Sequence, residues 1–427
     1  MEKYVLFGNA TLWVLAFLFW FRRKGIYNVG VFILLIYAMI SCFSCHLFLN
    51  PETSSFYERY IFIIPFLYLF IIILFLLKPL LKIDYSKISE IRLPSQKVIN
   101  PICIYIIISS LYQLTTGWQD IKYGFSLMLL DSSNAVDLYL DTTEANMARQ
   151  SLSGSFNIIG IMVTTATNFS MLFFYLYLLY PIKNKMMIVG LIFSVMSLPV
   201  MSIASGSREK IVTSLLMFVL MYLFLKPFFD KQIRKTISIV SLSLFSFLLM
   251  FFVIVSFARA RGDIEGVLTG FESYFGMSFL KFDQNCFYLN GTREGNLVSP
   301  LLNVILGGQT YSQEALRAKY ANLDIDNGVF YTFIGDFTLD YGPIFAFLIL
   351  VFFAIYCRRL TNNRIWSGGQ IVLGYILLKL LSGFYLHQFS GIGGNLLVIE
   401  LFVFYYLFSK GVIPSVTIKH LNNDEKN

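Results

Sequence analysis

The chain has 427 residues, of which 57% are hydrophobic and only 14% are charged. A soluble domain of this length cannot bury so much apolar surface, so the composition excludes an ordinary soluble protein. The formal net charge of +8 lies mostly in short loops between apolar blocks, where membrane topology explains it better than nucleic-acid binding. The five cysteines match neither a disulfide framework nor a zinc pattern. We therefore expect a membrane protein with no disulfide framework, no zinc site and no nucleic-acid partner.

Apolar blocks follow one another along the chain, each close to the length of about 20 residues that crosses about 30 Å of hydrocarbon. They predict an all-α polytopic membrane protein with about eleven transmembrane helices. The predicted spans are 4–21, 29–49, 60–78, 101–117, 155–181, 186–204, 210–226, 237–258, 343–357, 369–387 and 394–410.

The lysines and arginines of the short loops predict the orientation, because cytoplasmic loops carry the excess of basic residues. One set of loops holds 20 of the 33 basic residues; its members are 22–27, 78–97, 183–185, 226–235, 358–364 and the tail from 410. This set is predicted to be cytoplasmic, which places the N-terminus outside and the C-terminus inside. The expected location is the cytoplasmic, or inner, membrane.

The spans divide the chain into regions. Helices 1–8 of the predicted bundle occupy 1–258, and helices 9–11 occupy 343–411, before a cytoplasmic tail at 412–427. The outer segment 118–154 contains an apolar-spaced stretch that predicts an amphipathic helix on the membrane surface. The outer segment 259–342 is a large periplasmic loop, and its length predicts a structured, helical region with a functional role.

Two arginine-containing turns lie on the predicted outer face. Arg208 follows Ser205, Gly206 and Ser207 at the start of a span, where an arginine opposes the helix dipole and is not placed for helix stability. Arg259 and Arg261 stand where the eighth predicted span ends. Guanidinium groups bind phosphates through two parallel hydrogen bonds, so these turns are candidate anion sites. The alternative is an interfacial role, in which the side chains extend to the lipid headgroups.

The stretch from Gly307 to Pro343 holds further polar candidates. Arg317 lies on a predicted helix three residues after Glu314, and this pair is equally compatible with a structural role. Asp336 and Asp340 have the i, i+4 spacing that puts both carboxylates on one helix face. Such a pair can orient or deprotonate a sugar hydroxyl, bind a cation, or solvate the end of the span.

Two predicted spans carry charged or titratable side chains near the outer face. Lys379 and Glu400 lie at similar depth in an antiparallel hairpin, which predicts a salt bridge inside the bundle or a role in substrate binding. His387, at the end of a span, is a candidate base or phosphate partner, or simply an interfacial polar residue.

Three of these motifs carry a resemblance to a known family. The SGSR turn that opens a span, the RARG exit before the long outer loop and the GDFTLDYGP run that enters the next span resemble the Wzy-type polymerases of O-antigen and capsule repeat units. The resemblance implies a GT-C-like fold and a glycosyltransferase whose substrate is an undecaprenyl-diphosphate-linked oligosaccharide. It also implies that Arg208, Arg259 and Arg261, with Arg317, hold the diphosphate, and that the reaction needs no metal or other cofactor.

Within that chemistry the acceptor hydroxyl needs a base, for which the candidates are Asp336, Asp340, Glu272 and His387. Tyr311, Tyr274 and Trp118 are candidates for stacking on sugar faces, or else ordinary aromatics of the membrane interface. The expected partners are membrane lipids and, in the same system, a chain-length regulator and a flippase.

Two other functions remain open at this point. A ligase that moves finished glycan from the lipid carrier to another acceptor uses the same chemistry. A transporter or flippase predicts inverted half-domains with matching broken helices, and the sequence shows neither.

Overall fold

The computed structural model divides into two compact units, and each is described by itself. The first unit comprises Met1–Ile83, Leu268–Asn362 and Ile376–Val398, and the second comprises Asp84–Val267, Asn363–Tyr375 and Ile399–Asn427. The residues that the structure describes are 2–50, 60–130, 163, 165–202, 209–259, 264–288, 290–309, 311, 313–323, 331–361, 364–385, 387–409 and 414–419.

Helices dominate the described residues. In chain order they are α1 (Glu2–Lys24), α2 (Val29–Leu49), α3 (Ile63–Lys82), α4 (Gln96–Thr116), α5 (Trp118–Leu130), α6 (Ser170–Leu178), α7 (Lys185–Met201), α8 (Glu209–Leu225), α9 (Lys231–Arg259), α10 (Ile264–Asn285), α11 (Pro300–Ile305), α12 (Gln313–Lys319), α13 (Phe333–Cys357), α14 (Gly368–Leu381) and α15 (Gly391–Ser409). Short strands also form, namely β1 (Glu90–Pro94), β2 (Ile365–Ser367) and β3 (Ser415–Lys419).

Within the described residues, 7 helices are long and apolar enough to cross a membrane: Glu2–Lys24, Val29–Leu49, Ile63–Lys82, Gln96–Thr116, Lys210–Phe228, Phe333–Leu360 and Gly391–Ser409. Shorter apolar helices occupy Lys185–Met201 and Gly368–Leu381, on two further predicted spans. The multi-pass helical membrane fold is therefore confirmed. Most of the predicted span 155–181 lies outside the described residues, so the count of eleven stays a prediction.

Local sequence explains the turn between α1 and α2. Gly25 adopts a φ of 72°, the left-handed conformation that ends a helix most easily at glycine, and its N–H bonds to Phe21 O at 2.9 Å. Asn28 then caps α2, because its Oδ1 accepts hydrogen bonds from the N–H groups of Gly30 and Val31 at 3.0 and 3.2 Å.

The helix α13 has two arms that meet at Gly342, where φ is 76° and the backbone is not helical. The second arm, from Pro343 onward, matches the predicted span 343–357. The first arm starts at Phe333 behind a Thr332 cap, whose side chain accepts from Gly335 N at 3.2 Å. All residues from Phe333 to Asp340 are buried, so Asp336 and Asp340 lie inside the protein rather than at an exposed span end.

The helical fold carries one addition that the sequence analysis did not predict, a three-stranded sheet in the second unit. Its order is β2–β1–β3, with β1 parallel to β2 and antiparallel to β3. In the register, Glu90 stands opposite Ile365, and Ile91 stands opposite Ile418. The Tyr180 hydroxyl also donates to Pro94 O, which brings the segment before α7 to the same place.

This sheet constrains the membrane topology. Strands that pair must lie on one side of the membrane, so the chain crosses an even number of times between them. Between β1 and β2 lie the six predicted spans from 101–117 to 343–357, and between β2 and β3 lie the last two. Both numbers are even, and all three strands fall in or next to loops of the basic, predicted cytoplasmic set. The sheet therefore agrees with the predicted order of crossings.

We expect cysteines introduced at Lys87, Arg364 and Val416, in a background without native cysteines, to be accessible from the same side of the membrane. All three positions are exposed, and a membrane-impermeant maleimide should label them only after spheroplasts are permeabilised. A cysteine at Tyr4, which is 81% exposed at the other end of the first span, serves as the control and should react in intact spheroplasts. Labelling of any one of the three from outside would contradict the topology.

Candidate functional site

A buried ion cluster forms where the first arm of α13 meets the segment before α11. Arg293 Nε donates to Asp340 Oδ1 at 2.7 Å, and the guanidinium NH2 group lies 3.4 Å from Asp336 Oδ1. The side chains of Arg293, Asp336 and Asp340 are only 8%, 5% and 0% exposed. The i, i+4 spacing thus places both carboxylates on one helix face, as expected. That face packs against Arg293.

Asp340 holds the segment 293–298 in place. Its Oδ2 accepts hydrogen bonds from Leu297 N at 2.9 Å and Val298 N at 2.6 Å, while Oδ1 accepts from Arg293. Arg293 N in turn donates to Leu339 O at 2.8 Å. Both oxygens of Asp340 are therefore occupied, which fits a structural carboxylate better than a base.

Asp336 connects the same helix arm to the turn after α14. Its Oδ2 accepts from His387 N at 2.8 Å, and nearby Phe333 N donates to Gly383 O at 2.8 Å. The contact of Asp336 with Arg293 is longer than that of Asp340. Of the two carboxylates, Asp336 is the less tightly paired and the better proton acceptor.

The electrostatics of the cluster favour a charged arginine. Burial alone would lower the pKa of Arg293, but the charges of Asp340 and Asp336 outweigh it and raise that pKa above its usual value. A buried guanidinium with two carboxylates leaves one negative charge uncompensated if all three ionise. Removing the arginine would leave two, which is the costlier state.

His387 lies next to this cluster, in the turn after α14, and is 4% exposed. Its ring packs at 4.9 Å from the Phe337 ring and at 5.8 Å from the Phe389 ring. Burial lowers the pKa of His387 to about 3, so the imidazole is neutral. Its Nδ1 is buried and has no hydrogen-bond partner in the described part of the chain.

The other predicted site residues lie apart from this cluster. Lys379 and Glu400 belong to different compact units, and each has a contact in its own. The Lys379 ammonium lies 5.5 Å from the Phe389 ring, and Glu400 Oε1 accepts from Thr165 Oγ1 at 3.5 Å. The predicted salt bridge between them stays a prediction.

Glu272 and the aromatic candidates also have defined surroundings. Glu272 Oε2 is 3.0 Å from His46 Nδ1. The Tyr274 ring is buried against Tyr385, with ring centroids 4.2 Å apart, so it presents no free face to a sugar. Trp118 is 52% exposed, as an interfacial aromatic would be.

The arginines of the two turns lie at or beyond the ends of the described segments. Arg208 and Arg261 lie outside the described residues. Arg259 is the last residue of α9 and Arg317 lies within α12, but their side chains are outside the description. Their predicted role at a diphosphate stays a prediction. No group of three or more His, Cys, Asp and Glu side chains in the described ranges is arranged to hold a metal ion.

Arg293 is the residue that the sequence analysis missed. It stands in a polar stretch of the predicted outer loop, where an arginine is usually solvated. The signal that points to it is the pair of carboxylates in an apolar run, because two buried acids require a cation from elsewhere in the chain.

The fold and this cluster define a multi-pass helical membrane protein with a buried ionic site between the segment 293–298 and the helix α13. Comparison with models of protein families gave no match, and comparisons with curated proteins and with solved structures gave none either.

Proposed function

We propose that the chain is a polymerase that joins undecaprenyl-diphosphate-linked oligosaccharide repeat units into O-antigen, capsular or exopolysaccharide chains. The observation that carries the proposal is the set of contacts made by the GDFTLDYGP run. Asp336 and Asp340 of this run bind Arg293 of the outer loop, and Asp336 also binds the turn that holds His387. The run that carries the family resemblance thus joins the segments expected to surround the substrate.

In the proposed reaction the acceptor hydroxyl attacks the anomeric carbon of the donor glycan. A new glycosidic C–O bond forms, and the bond from that carbon to the diphosphate oxygen breaks. The leaving group is undecaprenyl diphosphate, whose developing charge the arginines at 208 and 261 stabilise, with Arg259 and Arg317 as further contacts. The proton of the acceptor hydroxyl passes to a base.

Among the predicted bases, the contacts favour His387. Its neutral ring has an unoccupied Nδ1 among the described atoms, whereas both Asp340 oxygens accept hydrogen bonds and Glu272 contacts His46. A base must be deprotonated and within reach of the proton it takes. Asp336 then acts as a positioning residue, because it fixes the backbone of His387.

Deleting the gene in the source organism is expected to leave single repeat units on the cell surface, seen as the loss of the glycan ladder on a gel. The wild-type gene should restore the ladder, and the His387→Ala variant should not, because it lacks the base. A matched control is His46→Ala, which changes an exposed histidine on α2 and should restore it. Long lipid-linked chains that stay unattached would instead indicate a ligase, and an unchanged ladder would exclude both activities.

A further inference from the structure

A second side-chain cluster lies on the segment that carries Arg293 but faces away from the buried ions. Its members are Glu294, Asn296, Asn303, Lys319 and Tyr320, all in the first unit. Asn296 Nδ2 donates to Arg293 O at 2.8 Å, but none of these side chains binds the carboxylates of Asp336 or Asp340 among the described residues.

The backbone turns Glu294 outward. Glu294 has a φ of 56°, and Gly295 follows with 75°. A left-handed conformation is unfavourable for a non-glycine residue. Its effect here is that Arg293 points into the protein, whereas the Glu294 side chain is 67% exposed. Strain of this kind concentrates at functional positions.

The cluster holds its polar atoms in fixed places. Glu294 Oε2 accepts from Lys319 Nζ at 3.2 Å and from the Tyr320 hydroxyl at 3.0 Å. Asn303 Nδ2 bridges Glu294 O and Asn296 Oδ1 at 3.0 and 3.1 Å. Glu294 Oε1 and Asn303 Oδ1 accept no hydrogen bond from the described residues. The hydrogen bonds from Lys319 and Tyr320 lower the pKa of Glu294, so its open oxygen is anionic at neutral pH.

An aromatic and apolar surround completes the cluster. The Lys319 ammonium lies 4.5 Å from the centroid of the Tyr311 ring and 4.9 Å from that of the Tyr320 ring. On α11 and just after it, Leu302, Ile305 and Leu306 are 51%, 71% and 76% exposed. An exposed apolar patch next to fixed polar groups is typical of a binding surface.

We infer that this cluster binds the sugar hydroxyls of the lipid-linked acceptor, with Glu294 Oε1 and Asn303 Oδ1 accepting from neighbouring hydroxyls. Fixed carboxylate and amide oxygens suit O–H donors, and hydrogen bonds to a charged acceptor are stronger than neutral ones. The adjacent apolar side chains suit a ligand that joins glycan to lipid. This inference rests on the proposed function, which supplies the class of substrate.

The Glu294→Gln variant tests the subsite, because an amide can offer a donor where the open carboxylate oxygen stands. The purified full chain is reconstituted in liposomes, and initial rates of chain extension are measured against the concentration of lipid-linked repeat units extracted from the deletion strain. We expect KM to rise about tenfold, because the variant loses one charge-assisted hydrogen bond to the acceptor. The kcat should stay within about twofold of wild type. Asp84→Asn, which changes a carboxylate paired with Lys87, is the matched control and should keep the wild-type KM.

A binding measurement separates this inference from the proposed function. Soluble repeat units, released from the polymer by hydrolysis, are titrated calorimetrically into wild type, Glu294→Gln and Asn303→Ala. Binding by wild type that both variants weaken supports the subsite, even without chain extension. An active wild type whose KM and glycan affinity survive both substitutions overturns the subsite but leaves the polymerase. A fall in kcat at constant KM also overturns it.

Discussion

Replacing Arg293 with methionine is expected to destabilise the protein by about 3–5 kcal/mol, the usual cost of removing one partner from a buried ion pair. Methionine fills similar space but supplies no charge, so Asp336 and Asp340 remain buried without a cation. The measurement is the midpoint of thermal unfolding of the purified protein in detergent, together with its level in the membrane. We expect both to fall clearly below wild type.

A double variant separates the effect of the lost charge on stability from the effect of the changed packing. Adding Asp340→Asn to Arg293→Met removes one of the two uncompensated buried charges, while the amide oxygen can still accept hydrogen bonds from Leu297 N and Val298 N. The double variant should therefore be more stable than Arg293→Met alone. Glu272→Gln is the control for a carboxylate that is 26% exposed and should change stability little. An Arg293→Met protein as stable as wild type would show that the cluster does not hold the outer loop.

Replacing Arg208 or Arg261 with alanine is expected to abolish polymer while leaving the protein in the membrane. In the proposed reaction each loss removes a charge that meets the leaving diphosphate, and one such contact is worth about 100-fold or more in rate. Lysine at either position should restore activity only in part, because the planar two-bond geometry of arginine is lost. The measurements are glycan length on gels and protein level by immunoblot.

The control for these variants is Arg22→Ala. Arg22 is an exposed arginine in the last turn of α1, at the predicted cytoplasmic end of that helix, and should not affect polymer length. Wild-type glycan length in both the Arg208→Ala and Arg261→Ala strains would refute the diphosphate role of these side chains.

The membrane fold follows from the sequence because its signal is local. Runs such as Ile63–Lys82 are apolar over their whole length, and a single helix in lipid satisfies its own backbone hydrogen bonds. No contact with the rest of the chain is needed to recognise them. Asn28 and Gly25 are equally readable, since a cap and a left-handed glycine act within one turn.

The candidate site was predictable only in part, because its contacts join distant segments. The i, i+4 spacing of Asp336 and Asp340 correctly puts them on one face, yet nothing local shows that Arg293, in a polar loop, is their partner. His387 was a candidate by its position at a span end, but its burial depends on Phe337 and Phe389. Pairing across long loops is a tertiary property that periodicity does not encode.

The sheet shows the same limit. The strand β2 is three residues long and β1 has five, too short for alternation to identify them. Their stability comes from pairing with each other and with β3, and the three segments are far apart in the chain. Segments this short become strands only when the helices bring them together.

Reconstitution in liposomes tests whether the chain itself joins lipid-linked repeat units. The purified chain is placed in liposomes that contain lipid-linked single repeat units and no other protein, and the glycan length on the lipid is followed by gel or mass spectrometry. We expect the lipid-linked chains to lengthen by whole repeat units, and we expect the His387→Ala protein to fail to lengthen them. Movement of the lipid-linked units across the bilayer without any new glycosidic bond would contradict the proposed polymerase activity.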